Sequence, residues 1–229
     1  MQITPDELII LQWGGLRLNA TIVFTWIVMA LLAGGARLVT ARLSDDEAPS
    51  RWQNLLEVLV NGMRDQIRES SQHDPGRYLP FVGTLFLFIA VSNSLAIVPG
   101  FLSPTGSLST TTALALCVLV AVPVYGIIGS GFGGWLRTWL QPSWLMLPFN
   151  IVGEFTRTVA LAIRLYGNVM SGTLLAGLLI GIIPFFFPTL MQLLGLLTGL
   201  IQAYIFAVLA MVYIAAAAGT PGDSTGKPE

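Results

Sequence analysis

Glu154, Arg157 and Arg164 stand in a long apolar stretch of this sequence, with Asn168, Ser171 and Thr173 just beyond them. Arg157, Arg164, Asn168 and Ser171 are spaced by seven, four and three residues, which sets them on one stripe of a helix. Arg157 follows Glu154 by three positions, so it either pairs along the helix or snorkels toward a membrane surface. Arg164 has no such companion, because no acid follows it until Asp223. A charged arginine far from a helix end in lipid costs from about 2.5 to more than 10 kcal/mol, so it needs a partner or a water-filled cavity. With no acid at hand in its own helix pair, that partner belongs to another chain. A guanidinium stays protonated at any working pH and favours the ionised form of a carboxylate within about 4–6 Å. This chemistry is the handling of ions, not the conversion of an organic substrate.

A second stripe, Gln192, Gly195, Gly199 and Gln202, lies further on among leucines and isoleucines. Small residues in such a stripe let a neighbouring helix approach closely, and the glutamines offer hydrogen bonds across the contact.

The elements that must hold these residues follow from composition. The chain of 229 residues is 54% hydrophobic and 10% charged, whereas soluble domains are about 25% charged and about 45–50% apolar. No charged side chain falls between Arg77 and Arg137, or between Arg164 and Asp223. Each stretch is too long for one core helix and holds two or more membrane crossings. The expected fold is an all-α polytopic membrane protein of about five transmembrane helices in one membrane domain. Residues 1–18 precede the first span at 19–40. A loop at 41–77 carries Arg42, Arg51, Arg64, Arg68 and Arg77 and is cytoplasmic by the positive-inside rule. Within it, residues 52–67 repeat apolar side chains at helical spacing and predict an amphipathic helix on the membrane surface.

The second and third spans are read at 78–98 and 110–132, joined by the uncharged outer loop from Pro99 to Gly106. Segments 146–183 and 189–218 form the last pair, divided at Pro184-Phe-Phe-Phe-Pro188. Helices of roughly 35 and 30 residues exceed a hydrocarbon core of about 30 Å, which predicts a strongly tilted hairpin. Five crossings put the N-terminus outside and the C-terminus in the cytoplasm, with 219–229 as a Gly-, Pro- and Ser-rich tail expected to be disordered. The first fifteen residues hold Asp6 and Glu7 but no lysine or arginine, so no cleavable presequence is expected.

The same features exclude several classes. A net charge of −1 with no clustered basic surface argues against nucleic acid as a partner. Lone Cys117 cannot form an internal disulfide, and without a Cys/His cluster no metal or other cofactor is expected; His73 sits in the cytoplasmic loop. An intramembrane enzyme would need a paired Asp/Asp, Ser/His or metal set at depth, so no catalytic residues are assigned. An independent channel or secondary transporter, with Arg164 binding an anionic substrate, is the alternative reading. Such folds usually carry internal repeats, and the two halves here show no similarity.

The run Ala162-Ile-Arg164-Leu-Tyr-Gly-Asn168-Val-Met-Ser-Gly172, preceded by Glu154-Phe-Thr-Arg157-Thr-Val-Ala-Leu, resembles the signature of the F-type ATP synthase a subunits. Gln202-Ala-Tyr-Ile-Phe-Ala-Val-Leu-Ala-Met-Val-Tyr213 is similar to that family's last helix, and weaker similarity covers Trp52 to Met63, Asn93 near Pro99, and the run from Thr110. The resemblance implies a membrane stator facing a rotating ring of c subunits, each with an ion-binding carboxylate in mid-membrane. Arg164 would be the arginine these carboxylates pass, between two offset aqueous half-channels. It implies Gln202 near Arg164 on the facing helix and Asn168 beside the same path. Asn93, Ser171, Thr173 and Tyr213, together with Glu154 and Arg157, would be supporting channel or interface residues.

It further implies b-type peripheral stalk subunits and the remaining ATP synthase subunits as partners, in a bacterial inner membrane. The chain itself would be a non-catalytic, ion-translocating subunit of the ATPase. Many family members carry a glutamate where this chain has Thr173 and a histidine where it has Gly195. Neither replacement can relay a proton as a carboxylate or imidazole would. The resemblance therefore leaves both a proton path through water and neutral groups and a sodium-translocating variant of the family open.

Overall fold

The computed structural model describes residues 9–13, 16–41, 61–62, 64–65, 75–98, 100–140, 144–180 and 186–218. Most of the amphipathic stretch 52–67, His73 and the 219–229 tail lie outside the described residues. Five helices carry the fold: α1 (Ala20–Thr40), α2 (Pro75–Leu95), α3 (Leu108–Leu140), α4 (Leu147–Ile180) and α5 (Phe186–Ala218). All five are long and apolar enough to cross a membrane. The chain is a multi-pass membrane protein whose spanning part is all-helical. Its helices are preceded by one short antiparallel hairpin, β1 (Ile9–Trp13) and β2 (Leu16–Asn19), with Trp13 opposite Leu16.

Local sequence explains where the helices begin and bend. Pro75 opens α2, where a missing N–H costs nothing and a fixed φ suits the first turn. Pro80 lies one turn later, and the Thr84 hydroxyl donates back to the Pro80 carbonyl at 2.6 Å. In α3 the regular backbone is interrupted at Gly131, at φ 75° and ψ 163°, a conformation that side chains with a Cβ rarely adopt. The chain turns back on itself there: a Cβ on Gly126 would lie 2.6 Å from Trp135 Cδ1 and 3.0 Å from the Ala217 carbonyl oxygen. The bend thus folds Trp135 down onto α3 beside the end of α5, and only a glycine leaves it room.

Helices α2 to α5 pack around one apolar core, and α1 lies at its side against α2. The core positions recur at helical spacing: Thr158, Leu161, Ala162 and Leu165 on α4, and Ala203, Phe206, Ala207, Ala210 and Ile214 on α5. Tyr78, Val82, Leu85 and Ile89 supply α2, and Ala115, Val118 and Val122 supply α3. Many of the larger apolar side chains instead face outward, among them Phe149, Phe155, Ile163 and Leu178 on α4 and Leu193, Leu197 and Tyr204 on α5. In water such a surface would aggregate; toward lipid or another membrane helix it is matched.

The link between α2 and α3 runs inward. After Gly100, at φ 89°, it reaches a 3-10 turn, Pro104–Gly106, whose three residues are buried between the helices. Phe101 anchors its start edge-on to Phe24 of α1, with ring centroids 4.8 Å apart.

Candidate functional site

Helix α4 presents the predicted stripe on its outward side. Arg157, Arg164 and Ser171 are exposed and Asn168 is half-buried, while the opposite side of the helix, from Thr158 to Leu165, faces the core. Arg164 lies midway along α4 and makes no ion pair or hydrogen bond with any described residue. The exposed residues one turn to either side of it, Ala160 and Gly167, are small. A Cβ on Gly167 would meet nothing within 4 Å. The guanidinium is therefore presented on a shallow, accessible strip that a facing helix can approach closely.

The two charges nearer the start of α4 behave differently. Arg157 Nη1 lies 3.6 Å from Glu154 Oε2, and its guanidinium sits over the Tyr213 ring at 5.3 Å from the centroid. The side chain of Glu154 is 13% exposed and that of Arg157 53%. With Asn150, Gly153 and Tyr213 they line a cavity of about 340 Å³ between the start of α4 and the end of α5. Arg157 is thus paired with Glu154 and stacked on Tyr213. Its cavity gives ions or water a polar recess at one end of the bundle.

On α5 the expected stripe divides. Gln192 and Gly195 are exposed, whereas Gly199 and Gln202 are buried. Gln202 is 6% exposed and its amide nitrogen has no hydrogen-bond partner among the described residues. A buried amide left in that state costs about 1–3 kcal/mol unless something else satisfies it. The structure gives no hydrogen bond between Gln202 and Arg164; one faces the interior and the other the outer strip. Ser171 and Thr173 turn their hydroxyls onto their own helix, to the Asn168 carbonyl at 3.1 Å and the Met170 carbonyl at 2.9 Å. This is the ordinary resting state of a helical hydroxyl.

Asn93 is buried and tied in on both sides. Its Nδ2 donates to the Gly199 carbonyl at 2.9 Å and its Oδ1 accepts from Thr105 Oγ1 at 2.6 Å. Thr105 Oγ1 is 2.7 Å from Ser103 Oγ, which lies 3.1 Å from the Ser92 carbonyl. A Cβ on Gly199 would fall 3.0 Å from Asn93 Cβ, so the close approach of α2 and α5 depends on this glycine. Reading 99–106 as an outer loop passes over Ser103 and Thr105, which the structure buries. The available signal was a Ser-Pro-Thr-Gly-Ser run, dense in hydroxyls and free of charge, between two spans.

The sequence itself places this arrangement among known proteins. The family model described as ATP synthase A chain matches residues 22–215, which is most of the chain. The chain belongs to the ATP synthase subunit a family. It is 60% identical to "ATP synthase subunit a 2" of Acaryochloris marina, over 95% of this chain and 93% of that protein. It is 56% identical to "ATP synthase subunit a" of Albidiferax ferrireducens, over 95% and 94% of the two chains. A match of 56% covers 98% of this chain and all of "ATP synthase subunit a 1" of Chlorobaculum parvum. Membership of the ATP synthase subunit a family over nearly the full length does not fit an independent channel or transporter, and that alternative is set aside.

Proposed function

We propose that this chain is the membrane stator of a rotary ATP synthase, in which Arg164 couples ion flow across the membrane to rotation of a c-subunit ring. The observation that carries the reading is Arg164 itself: a permanent charge midway along a spanning helix, unpaired within the described chain, on an outward strip lined by Ala160 and Gly167. A ring carboxylate reaching that strip is driven to its ionised form and releases its ion; leaving the strip for a less polar environment, it reloads. The same guanidinium repels free cations and so opposes direct leakage between the two sides. Rotation then becomes the conducting route.

The surrounding groups fit supporting roles. Asn168, one turn beyond Arg164, borders the arginine's path, and Gln202, buried with a free amide on the facing helix, supports it from the interior. The recess of Glu154, Arg157 and Tyr213 serves as the cytoplasmic half-channel. Asn93, Ser171 and Thr173 belong to the opposite half-channel, which relies on water and neutral oxygens because Thr173 and Gly195 replace titratable groups. The N-terminus lies outside and the C-terminus in the cytoplasm. Helices α4 and α5, at 34 and 33 residues, are about 50 Å long, which supports a hairpin strongly tilted in a hydrocarbon layer of about 30 Å. The partners are the c-ring, b-type peripheral stalk subunits and the remaining ATP synthase subunits, in a bacterial inner membrane. The subunit moves ions and catalyses nothing itself.

The test is ATP-driven pumping in inverted vesicles from cells carrying wild-type chain or Arg164→Ala, followed with a pH dye and by sodium uptake in the presence of a protonophore. An assembled complex that hydrolyses ATP but moves no ion is the expected result for the variant. The wild-type vesicles identify the ion: dye quenching marks protons, and protonophore-resistant uptake marks sodium. Normal pumping by Arg164→Ala refutes the reading.

A further inference from the structure

We propose that the buried turn Pro104–Gly106 is a positioning element for ion translocation, with Thr105 as its positioning residue, which holds α4 and α5 in register beside Arg164 and Gln202. The proposal rests on the stator reading. A link between two spans ordinarily stays at the surface, because buried backbone must find hydrogen bonds. This one supplies several of its own: Gly106 N–H donates to the Ser103 carbonyl at 2.9 Å, Ser107 N–H to Pro104 at 3.1 Å, and Thr111 N–H to Ser107 at 3.1 Å. It can therefore sit among the helices as a wedge, and Thr105 and Ser107 are fully buried there.

The wedge touches α4 directly and reaches α5 through Asn93 of α2. Toward α5, Thr105 Oγ1 donates to Asn93 Oδ1, and Asn93 Nδ2 donates to the Gly199 carbonyl, three residues before Gln202. Toward α4, a Cβ on Gly106 would lie 3.3 Å from Val169 Cγ1, so the turn is already in contact with the residue after Asn168, one turn beyond Arg164. Both contacts fall about one helical turn from the residues whose spacing the mechanism uses.

Hydrogen-bond polarity makes the hydroxyl of Thr105 more than filler. Its single proton goes to Asn93 Oδ1, which leaves Asn93 Nδ2 for Gly199; with the amide reversed, Oδ1 would face the Gly199 carbonyl oxygen and repel it. Thr105 in turn accepts from Ser103, whose proton is shared with the Ser92 carbonyl. Removing the Thr105 hydroxyl with no change of shape strands Asn93 Oδ1 in a buried site and frees the amide to turn away from α5.

The experiment uses the complete complex in inverted vesicles, with Thr105→Val, Thr105→Ser and Ser103→Ala, and Arg164→Ala beside them. Ions pumped per ATP hydrolysed is the readout, normalised to assembled complex. We expect Thr105→Val to assemble and hydrolyse ATP while ions per ATP fall about fivefold, with Thr105→Ser within about twofold of wild type. Ser103→Ala should show a smaller fall, and it decides the matter if Thr105→Val does not assemble. Wild-type ions per ATP in Thr105→Val or, failing its assembly, in Ser103→Ala overturns the proposal, as does a loss of pumping that only tracks the amount of complex. An inert Arg164→Ala with fully coupled Thr105→Val refutes the positioning role alone, whereas normal pumping by Arg164→Ala refutes the stator reading beneath it.

Discussion

Gly199→Ala is expected to loosen the contact between α2 and α5, although alanine is the better helix former. The added Cβ would lie 3.0 Å from Asn93 Cβ, 3.1 Å from Nδ2 and 3.2 Å from Cγ. Carbon atoms prefer separations of about 3.5–4.0 Å, so one helix must withdraw by roughly half an ångström or more. Overpacking of this kind costs about 1–3 kcal/mol. Weakening the 2.9 Å bond from Asn93 to the Gly199 carbonyl adds about 0.6 kcal/mol, the mean for interhelical bonds in a membrane protein. Against this stands a helix-propensity gain of about 0.5–1 kcal/mol for replacing glycine by alanine. The sum is a net loss of roughly 0.6–3 kcal/mol, or about a 3- to 200-fold change in the folded-to-unfolded ratio. Gly195, one turn earlier, supplies the comparison, since a Cβ there meets nothing within 4 Å. Gly195→Ala should therefore keep only the propensity gain. Equilibrium unfolding of the purified chain in mixed micelles by dodecyl sulfate, followed through tryptophan fluorescence, measures both. The reasoning fails if Gly199→Ala unfolds at the wild-type midpoint or above it, or if Gly195→Ala is the less stable of the two.

Arg164→Lys keeps the charge but loses the planar fork, and pumping per assembled complex should be as deficient as in Arg164→Ala; substantial pumping with lysine would reduce the requirement to a point charge. Tyr213→Leu removes the ring beneath Arg157 and should lower stability by about 0.5–1 kcal/mol in the same micelle titration, while Tyr213→Phe stays near wild type. Loss of stability with phenylalanine as large as with leucine would shift the role from the ring face to the hydroxyl. Replacing Glu154 and Arg157 together by glutamine should slow ATP-driven ion uptake by about tenfold or less, with the complex intact, since the recess keeps its shape and Arg164 remains; unaltered uptake removes them from the path.

Much of the architecture was legible because membrane spans are written as long charge-free runs, and 78–136 and 165–222 are such runs. The spacing of Arg157, Arg164, Asn168 and Ser171 likewise fixed a common side of α4, since helical periodicity is local. What local periodicity does not carry is depth. The stripe on α5 looked continuous, yet Gly199 and Gln202 turn inward against α2 while Gln192 and Gly195 stay outside. That division depends on Asn93, 106 residues away in sequence from Gly199. The inward course of Ser103 to Ser107 was hidden for the same reason. Prolines, glycines and hydroxyls read as a surface link until their partners on α2 and α4 are known. The bend at Gly131 was equally silent, because the glycines near it give no hint of which one takes the positive φ.

The unpaired guanidinium of Arg164 also bears on the fate of the chain in the cell. Leaving that charge in lipid costs from about 2.5 to more than 10 kcal/mol, a sum comparable with the whole folding stability of a typical protein, about 5–15 kcal/mol. On the stator reading proposed above, a copy of the chain without a ring beside it leaves that charge unpaired and is expected to be less stable in the bilayer than an assembled one. Docking against a carboxylate removes that cost. On the same reading, the residue that would time ion release would also favour the assembled subunit over the free one.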